Sequence, residues 1–298
     1  MELVSTSKMK RAIAAALATR PYANLSWTTI LNLAENMKDD LHPLLKQKYR
    51  RDTKKLGIVI IASNRGLCGG YNDQIIERVV NFIKNDKKEF GIEAEMFLLG
   101  KKTHELIYRH NQIAVAEFDK LDFVSSVDEI RPLAKMLIKD FLNKKYDKIL
   151  VAYTDFVSTL KQVPRIKQLL PVKIHKKDQY LGIVGQDTRL GLDEKFVKEK
   201  QEKYLQKDKF QYEYKFEPSP RKVLDSMLPR LIEIQLYQAL LESNASEHSA
   251  RMIAMKNATD AASDMIYDLS LVYNKARQAN ITREIAEISA GAAAQNNL

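Results

Sequence analysis

The sequence predicts a combination of all-α and α/β architecture: long helices at both ends that pair with each other, and an α/β domain between them. Three observations carry this reading. Between Pro229 and Gly291 there are 61 residues without a glycine or proline. The first fifty residues also have helical periodicity. The middle of the chain alternates short apolar runs with amphipathic stretches. Glycine (10) and proline (8) are scarce for 298 residues, which argues against a turn-rich sandwich and for long helices. With 45% hydrophobic and 29% charged residues the chain can bury a sizeable core, and a wholly disordered chain is excluded.

The opening residues, MELVSTSKMKRAIAAALATR, are amphipathic and lack the continuous apolar core of a secretory signal. Ile30, Leu33, Met37, Leu41 and Leu44 continue the helical spacing. Pro21 is expected to kink or interrupt this helix, and Pro43 to end it. The N-terminal helical zone is therefore residues 1–50.

A domain over residues 54–217 follows. Leu56–Ala62 reads as a buried strand, Asn72–Lys84 as a helix, Ala94–Leu99 as a second strand and Lys101–His110 as a second helix. Ile113–Phe118 and Lys148–Tyr153 supply further strands around a helix at Val127–Asn143, and Phe156–Leu170 reads as an extended segment closing an edge. From about residue 171 to 217 the sequence turns polar and lysine-rich, a variable segment. Residues 218–298 form the C-terminal helix. Along it Ala258, Ala262, Met265, Leu269, Val272, Ala276 and Ala279 recur at steps of four and three, the spacing of a coiled-coil seam. Fully helical, the stretch without glycine and proline would run about 90 Å at 1.5 Å per residue, which calls for a partner.

Chemistry-bearing motifs are few. The net charge of +10 is interleaved with acidic residues, so no basic arm suited to nucleic acid stands out. No apolar run is long enough to span a membrane. SNRGLCGGYN, residues 63–72, sits where an open α/β sheet places a phosphate loop, but no dinucleotide or P-loop fingerprint is present. Cys68, the single cysteine, has no recognisable local base and reads as a structural residue. The residues give no catalytic centre, no cofactor site and no metal site. At the C-terminal end, Arg277, Gln278, Thr282, Arg283, Glu284 and Glu287 are polar fingers on a helix rich in isoleucine and alanine, with Ile288 near its tip. Such a slender tip suits exchangeable contacts within an apolar sleeve. A nucleotide-binding α/β enzyme with a coiled-coil arm and a coiled-coil scaffold remain alternatives on the residues alone.

The C-terminal segment ASEHSARMIAMKNATDAASDMIYDLSLVYNKARQANITREIAEISAGAAA resembles the last helix of the γ subunits of F-type ATP synthases. SNRGLCGGYN resembles that family's loop after the first strand, MELVSTSKMKRA its first helix, and YKFEPSP the approach to its last helix. The resemblance implies an antiparallel coiled coil of the two terminal helices and a Rossmann-like central domain. It implies a non-catalytic rotor shaft inside a ring of three α and three β subunits, attached to an ε subunit and a c-ring. It also implies that Arg277, Gln278 and Thr282, with Glu284, Glu287 and Arg251, contact the β-subunit catch, and that Ile288 turns in the bearing. Membrane association through the Fo sector only, at the cytoplasmic face of a bacterial plasma membrane, is expected. The family has further helical turns before the segment matched by Met1–Arg11, so either the start lies upstream or the upper C-terminal helix is unpaired.

Overall fold

A computed structural model describes residues 1–36, 42–46, 55–110, 114–120, 126–172, 217 and 219–296. The chain divides into two compact units, Met1–Met252 and Ile253–Leu298.

In the first unit, helix α1 (Glu2–Asn36) is followed by a 3-10 turn at Pro43–Leu45 and then by strand β1 (Lys55–Ile61). Helix α2 (Tyr71–Phe90), strand β2 (Glu93–Leu99), helix α3 (Lys101–Arg109) and strand β3 (Ala114–Phe118) come next. Helix α4 (Arg131–Leu142), strand β4 (Lys148–Phe156), strand β5 (Gln162–Leu170) and helix α5 (Pro220–Asn296) complete the order. The sheet runs β3-β2-β1-β4-β5. The pairs β1–β2, β1–β4 and β2–β3 are parallel, and β5 joins the edge antiparallel to β4. Of the extended segment expected at Phe156–Leu170, Phe156 ends β4 and only Gln162–Leu170 is the antiparallel edge strand.

Both faces of the central strands are buried, which is why they read as continuous apolar runs rather than alternating ones. Period-two geometry sends Ile58, Ile60, Met96 and Leu98 to one face, against Ile75, Ile76, Val79 and Ile107 of α2 and α3. Val59, Ile61, Phe97 and Val151 face the other way, against Leu133 and Leu137 of α4 and Leu224, Leu228, Leu231 and Leu241 of α5.

Two sequence expectations change. Pro21 lies inside α1, which runs through it without interruption. A proline removes one intrahelical donor and clashes with one carbonyl, and the turns on either side keep the remaining ladder. The helix expected at Val127–Asn143 is a 3-10 turn, Val127–Glu129, followed by α4. Arg131-Pro132 opens α4, where a proline costs no hydrogen bond. Of the periodic N-terminal residues, Ile30 and Leu44 are buried. The side chain of Leu33, the residues Met37 and Leu41, and the polar segment 173–216 lie outside the described residues.

The partners of the N-terminal region descend along α5 as they ascend in sequence. Met9 shares a small core with Ala245, Thr19 Oγ1 donates to Gln238 Oε1 at 2.7 Å, and His42 Nε2 lies 2.8 Å from Asp225 Oδ1.

In the second unit, Ile253–Leu298, the helix continues with its described side chains exposed beyond its first turn. Met265, Leu269 and Val272 are more than three-fifths exposed, as are Tyr267 and Tyr273. No helix among the described residues is long and apolar enough to cross a membrane.

Candidate functional site: a polar belt on the long helix

Residues 242–249 of α5, ESNASEHS, are all buried. Eight consecutive buried positions on a helix include several that cannot face an apolar core, and buried polar groups are costly unless paired. Ser243, Ser246 and Ser249 are poor helix formers, and each finds a hydrogen-bond partner in the fold.

The partners come from the carboxyl ends of the strands and the loops that follow them. After β1, Tyr71 Oη lies 2.6 Å from Ser243 Oγ and 3.1 Å from Ser243 O. After β3, Lys120 Nζ donates to Glu247 Oε2 at 2.6 Å, with both side chains buried. At the end of β4, Ser246 Oγ donates to Thr154 O at 3.0 Å, and in the β4–β5 turn Thr159 O accepts from Ser249 Oγ at 2.7 Å. Arg251 closes the belt. Its guanidinium donates to Glu247 Oε1 at 2.8 Å, Arg65 O at 3.0 Å and Gly66 O at 3.3 Å, and lies 3.3 Å from His248 Nδ1. Deeper along α5, Gln238 Nε2 donates to Glu242 Oε1 at 3.0 Å.

The electrostatics follow from burial. Burial alone would push the Glu247 carboxyl up, but Lys120 and then Arg251 outweigh it and hold the carboxyl below its usual range. Burial, reinforced by the neighbouring cations, pushes His248 down to about 4, so its ring is neutral at pH 7 and its Nδ1 accepts from Arg251. Burial raises the Tyr71 phenol well above its ordinary value, which keeps it a neutral donor.

SNRGLCGGYN has a compact geometry of its own. Asn72 Oδ1 accepts from Ser63 N at 3.0 Å, Asn72 Nδ2 donates to Ser63 Oγ at 2.8 Å, and Ser63 Oγ donates to Arg65 O at 2.7 Å. Leu67 and Gly69 take positive φ, and Asn64 Nδ2 donates to Lys120 O. A phosphate loop turns amide N–H groups toward its ligand. This loop instead turns the carbonyls of Arg65 and Gly66 toward a guanidinium from its own chain. The place where open α/β sheets hold ligands is therefore lined here by α5.

Cys68 is buried within the same loop, 3.3 Å from Asn72 Nδ2, and burial raises its thiol pKa. The expected result is that the native chain reacts with an alkylating reagent near neutral pH far more slowly than the unfolded chain, measured by mass spectrometry. Equal rates would contradict the buried placement.

The sequence-selected contact residues separate. Arg277, Gln278, Thr282, Glu284, Glu287 and Ile288 are all exposed in the second unit. Thr282 Oγ1 donates to Gln278 O at 2.8 Å within the helix, and Glu287 Oε1 lies 3.8 Å from Arg283 Nε. The seam residues Ala258, Ala262, Met265, Leu269, Val272, Ala276 and Ala279 are exposed as well. Arg251, grouped with the tip residues by sequence, belongs to the first unit and has its guanidinium engaged inside the chain. Sequence reasoning passed over Lys120, Tyr71, Ser243 and Glu247. Among the described residues no group of three or more His, Cys, Asp or Glu is placed to hold a metal ion.

A family model described as ATP synthase matches residues 1–295. The ATP synthase gamma chain of Roseiflexus castenholzii is 39% identical over 294 residues, covering 99% of this chain and 91% of that protein. The chain belongs to the ATP synthase γ-chain family. The gamma chain of Legionella pneumophila strain Corby is 34% identical, with 99% and 92% covered. The fold is also similar to that of a chain in the central stalk/c-ring structure of the Tetrahymena thermophila mitochondrial ATP synthase. The TM-score is 0.59 at 22% identity, over 87% of this chain and 97% of that one.

Proposed function

We infer that the chain is the central rotor shaft of an F-type ATP synthase. It couples proton-driven rotation of a c-ring to ATP synthesis at the β subunits, or ATP hydrolysis to proton transport in reverse. Membership of the γ-chain family over nearly the whole length carries the reading. The second unit supports it, because a helix that exposes Met265, Leu269, Val272, Ile281, Ile285 and Ile288 leaves apolar surface that a surrounding sleeve would bury.

The terminal helices form an antiparallel coiled coil over the stretch where their contacts run in opposite directions. Beyond it, the seam from Ala258 to Ala279 lies against the ring of three α and three β subunits. Arg277, Gln278, Thr282, Glu284 and Glu287 contact the β-subunit catch, and the turns around Ile288 run in the bearing. The α/β domain attaches to the ε subunit and c-ring. The complex is peripheral at the cytoplasmic face of a bacterial plasma membrane, joined to it through the Fo sector. The chain supplies no catalytic group. Its orientation biases three sites toward different nucleotide affinities, which is coupling between distant sites through a rigid-body rotation.

Co-expression with α, β and ε subunits tests the reading directly: the four should co-purify, and recovery of this chain without them would sink it. Gln278→Ala should assemble normally and change hydrolysis or coupling, since it removes a hydrogen bond worth about 0.5–1.5 kcal/mol. Ala276→Phe should instead reduce assembly, by overpacking a close contact at about 1–3 kcal/mol. Subunit content, hydrolysis rate and ATP-driven proton pumping distinguish the two profiles.

A further inference from the structure

Two kinds of contact hold α5 to the α/β domain. From Leu224 to Leu241 the buried contacts are mainly apolar, through Leu228, Leu231, Ile232 and Leu236. Apolar burial scales with area and has no direction. It resists pulling the helix away better than it resists turning the helix about its axis.

From Glu242 to Arg251 the contact changes in kind. Tyr71, Lys120, Thr154 and Thr159 each meet a different side chain of the helix, and the loop carbonyls of Arg65 and Gly66 share one more, Arg251. At about 100° per residue, Ser249, Ser246, Ser243, Glu247 and Arg251 point in directions spread over roughly half the helix circumference. A hydrogen bond weakens steeply once misaligned below about 120°. The Lys120–Glu247 pair cannot part without leaving a buried charge. A turn of the helix by one residue's angle would break the hydrogen bonds and the ion pair together.

We propose that the belt is a torsional lock, in which Lys120–Glu247 and the Arg251 clasp on the β1–α2 loop fix the rotational register of α5 against the α/β domain and carry torque between them. The apolar stretch supplies adhesion. The proposal rests on the rotor reading. Lys120, Glu247 and Arg251 are positioning residues: they touch no substrate and act by keeping the shaft from slipping.

The test uses the assembled, membrane-reconstituted complex. In the double variant Lys120→Met, Glu247→Met both charges are replaced by apolar side chains, a change that often leaves stability intact. Arg251→Lys keeps the charge but loses the planar fork that serves two carbonyls and a carboxylate. Protons pumped per ATP hydrolysed would be measured with and without an opposing proton gradient, alongside thermal unfolding. The expected result is a severalfold fall in that ratio against the gradient, a smaller fall without it, and little change in the unfolding temperature of the double variant. A merely structural role would move the unfolding temperature without any dependence on load.

Should the double variant fail to assemble, Tyr71→Phe and Arg251→Lys take its place, since neither leaves a buried carboxylate without a cation. Parent-like coupling under load in the variants that assemble overturns the lock. A parent complex that does not assemble or pump overturns the rotor reading itself, independently of any substitution.

Discussion

Lys120→Met should cost the folded chain about 3–5 kcal/mol, because it leaves the Glu247 carboxylate buried with one of its two cations gone. Denaturant unfolding at several pH values would measure it. In the parent, Glu247 has a depressed folded pKa, so its contribution is present above the unfolded value and lost as pH falls through the folded one. His248, pushed down to about 4 from 6.5, binds fewer protons folded than unfolded, so the parent also loses stability from about pH 6.5 downward. Removing Lys120 takes a lowering influence off both groups, and the mutant fold then binds protons more readily. The penalty of the substitution should therefore be largest near neutral pH and shrink on acidification. A penalty below about 1 kcal/mol, the range of exposed pairs, would mean that the pair is not buried in solution.

Gly100→Ala is expected to destabilise by about 2–5 kcal/mol, combining backbone strain with overpacking. Gly100 has φ +102, and a Cβ there would lie 2.6 Å from Ala62 O and 3.0 Å from Ser63 O. Both neighbours are backbone atoms at the start of the β1–α2 loop, and Lys102 N donates to Ser63 O at 3.0 Å across the same crossing. Relief requires shifting the loop whose carbonyls hold Arg251. Gly66→Ala is the internal control: nothing lies within 4 Å of its added Cβ. It should stay within about 0.5 kcal/mol of the parent. Thermal unfolding of both variants checks the contrast, and equal midpoints would contradict the close approach at Gly100.

The strand and helix order of the α/β domain was legible because each central strand is buried on both faces and each helix on one. Those demands act over a few residues and leave period and composition behind. Boundaries moved by a residue or two at most strands, as with Lys55–Ile61 against Leu56–Ala62. The continuity of the last helix followed from the absence of glycine and proline. The family was legible in SNRGLCGGYN and ITREIAEISAGAA.

What the sequence by itself determined, then, is which stretches are helix or strand, that the sheet is mostly parallel, and to which family the chain belongs. Local spacing specifies the elements and the sheet, and the resemblance of SNRGLCGGYN and ITREIAEISAGAA specifies the family. Only the tertiary structure decided which equally periodic stretch of one helix is covered. Leu224, Leu228 and Leu231 are buried, whereas Met265, Leu269 and Val272, spaced the same way, are exposed. Only the tertiary structure, likewise, turned ESNASEHS from an unremarked polar run into a buried belt. The partners of Glu247 and Arg251 lie 127 and 186 residues away, at Lys120 and Arg65. A buried charge is stable only beside its counter-charge, and no local pattern states which distant loop the fold will bring to it.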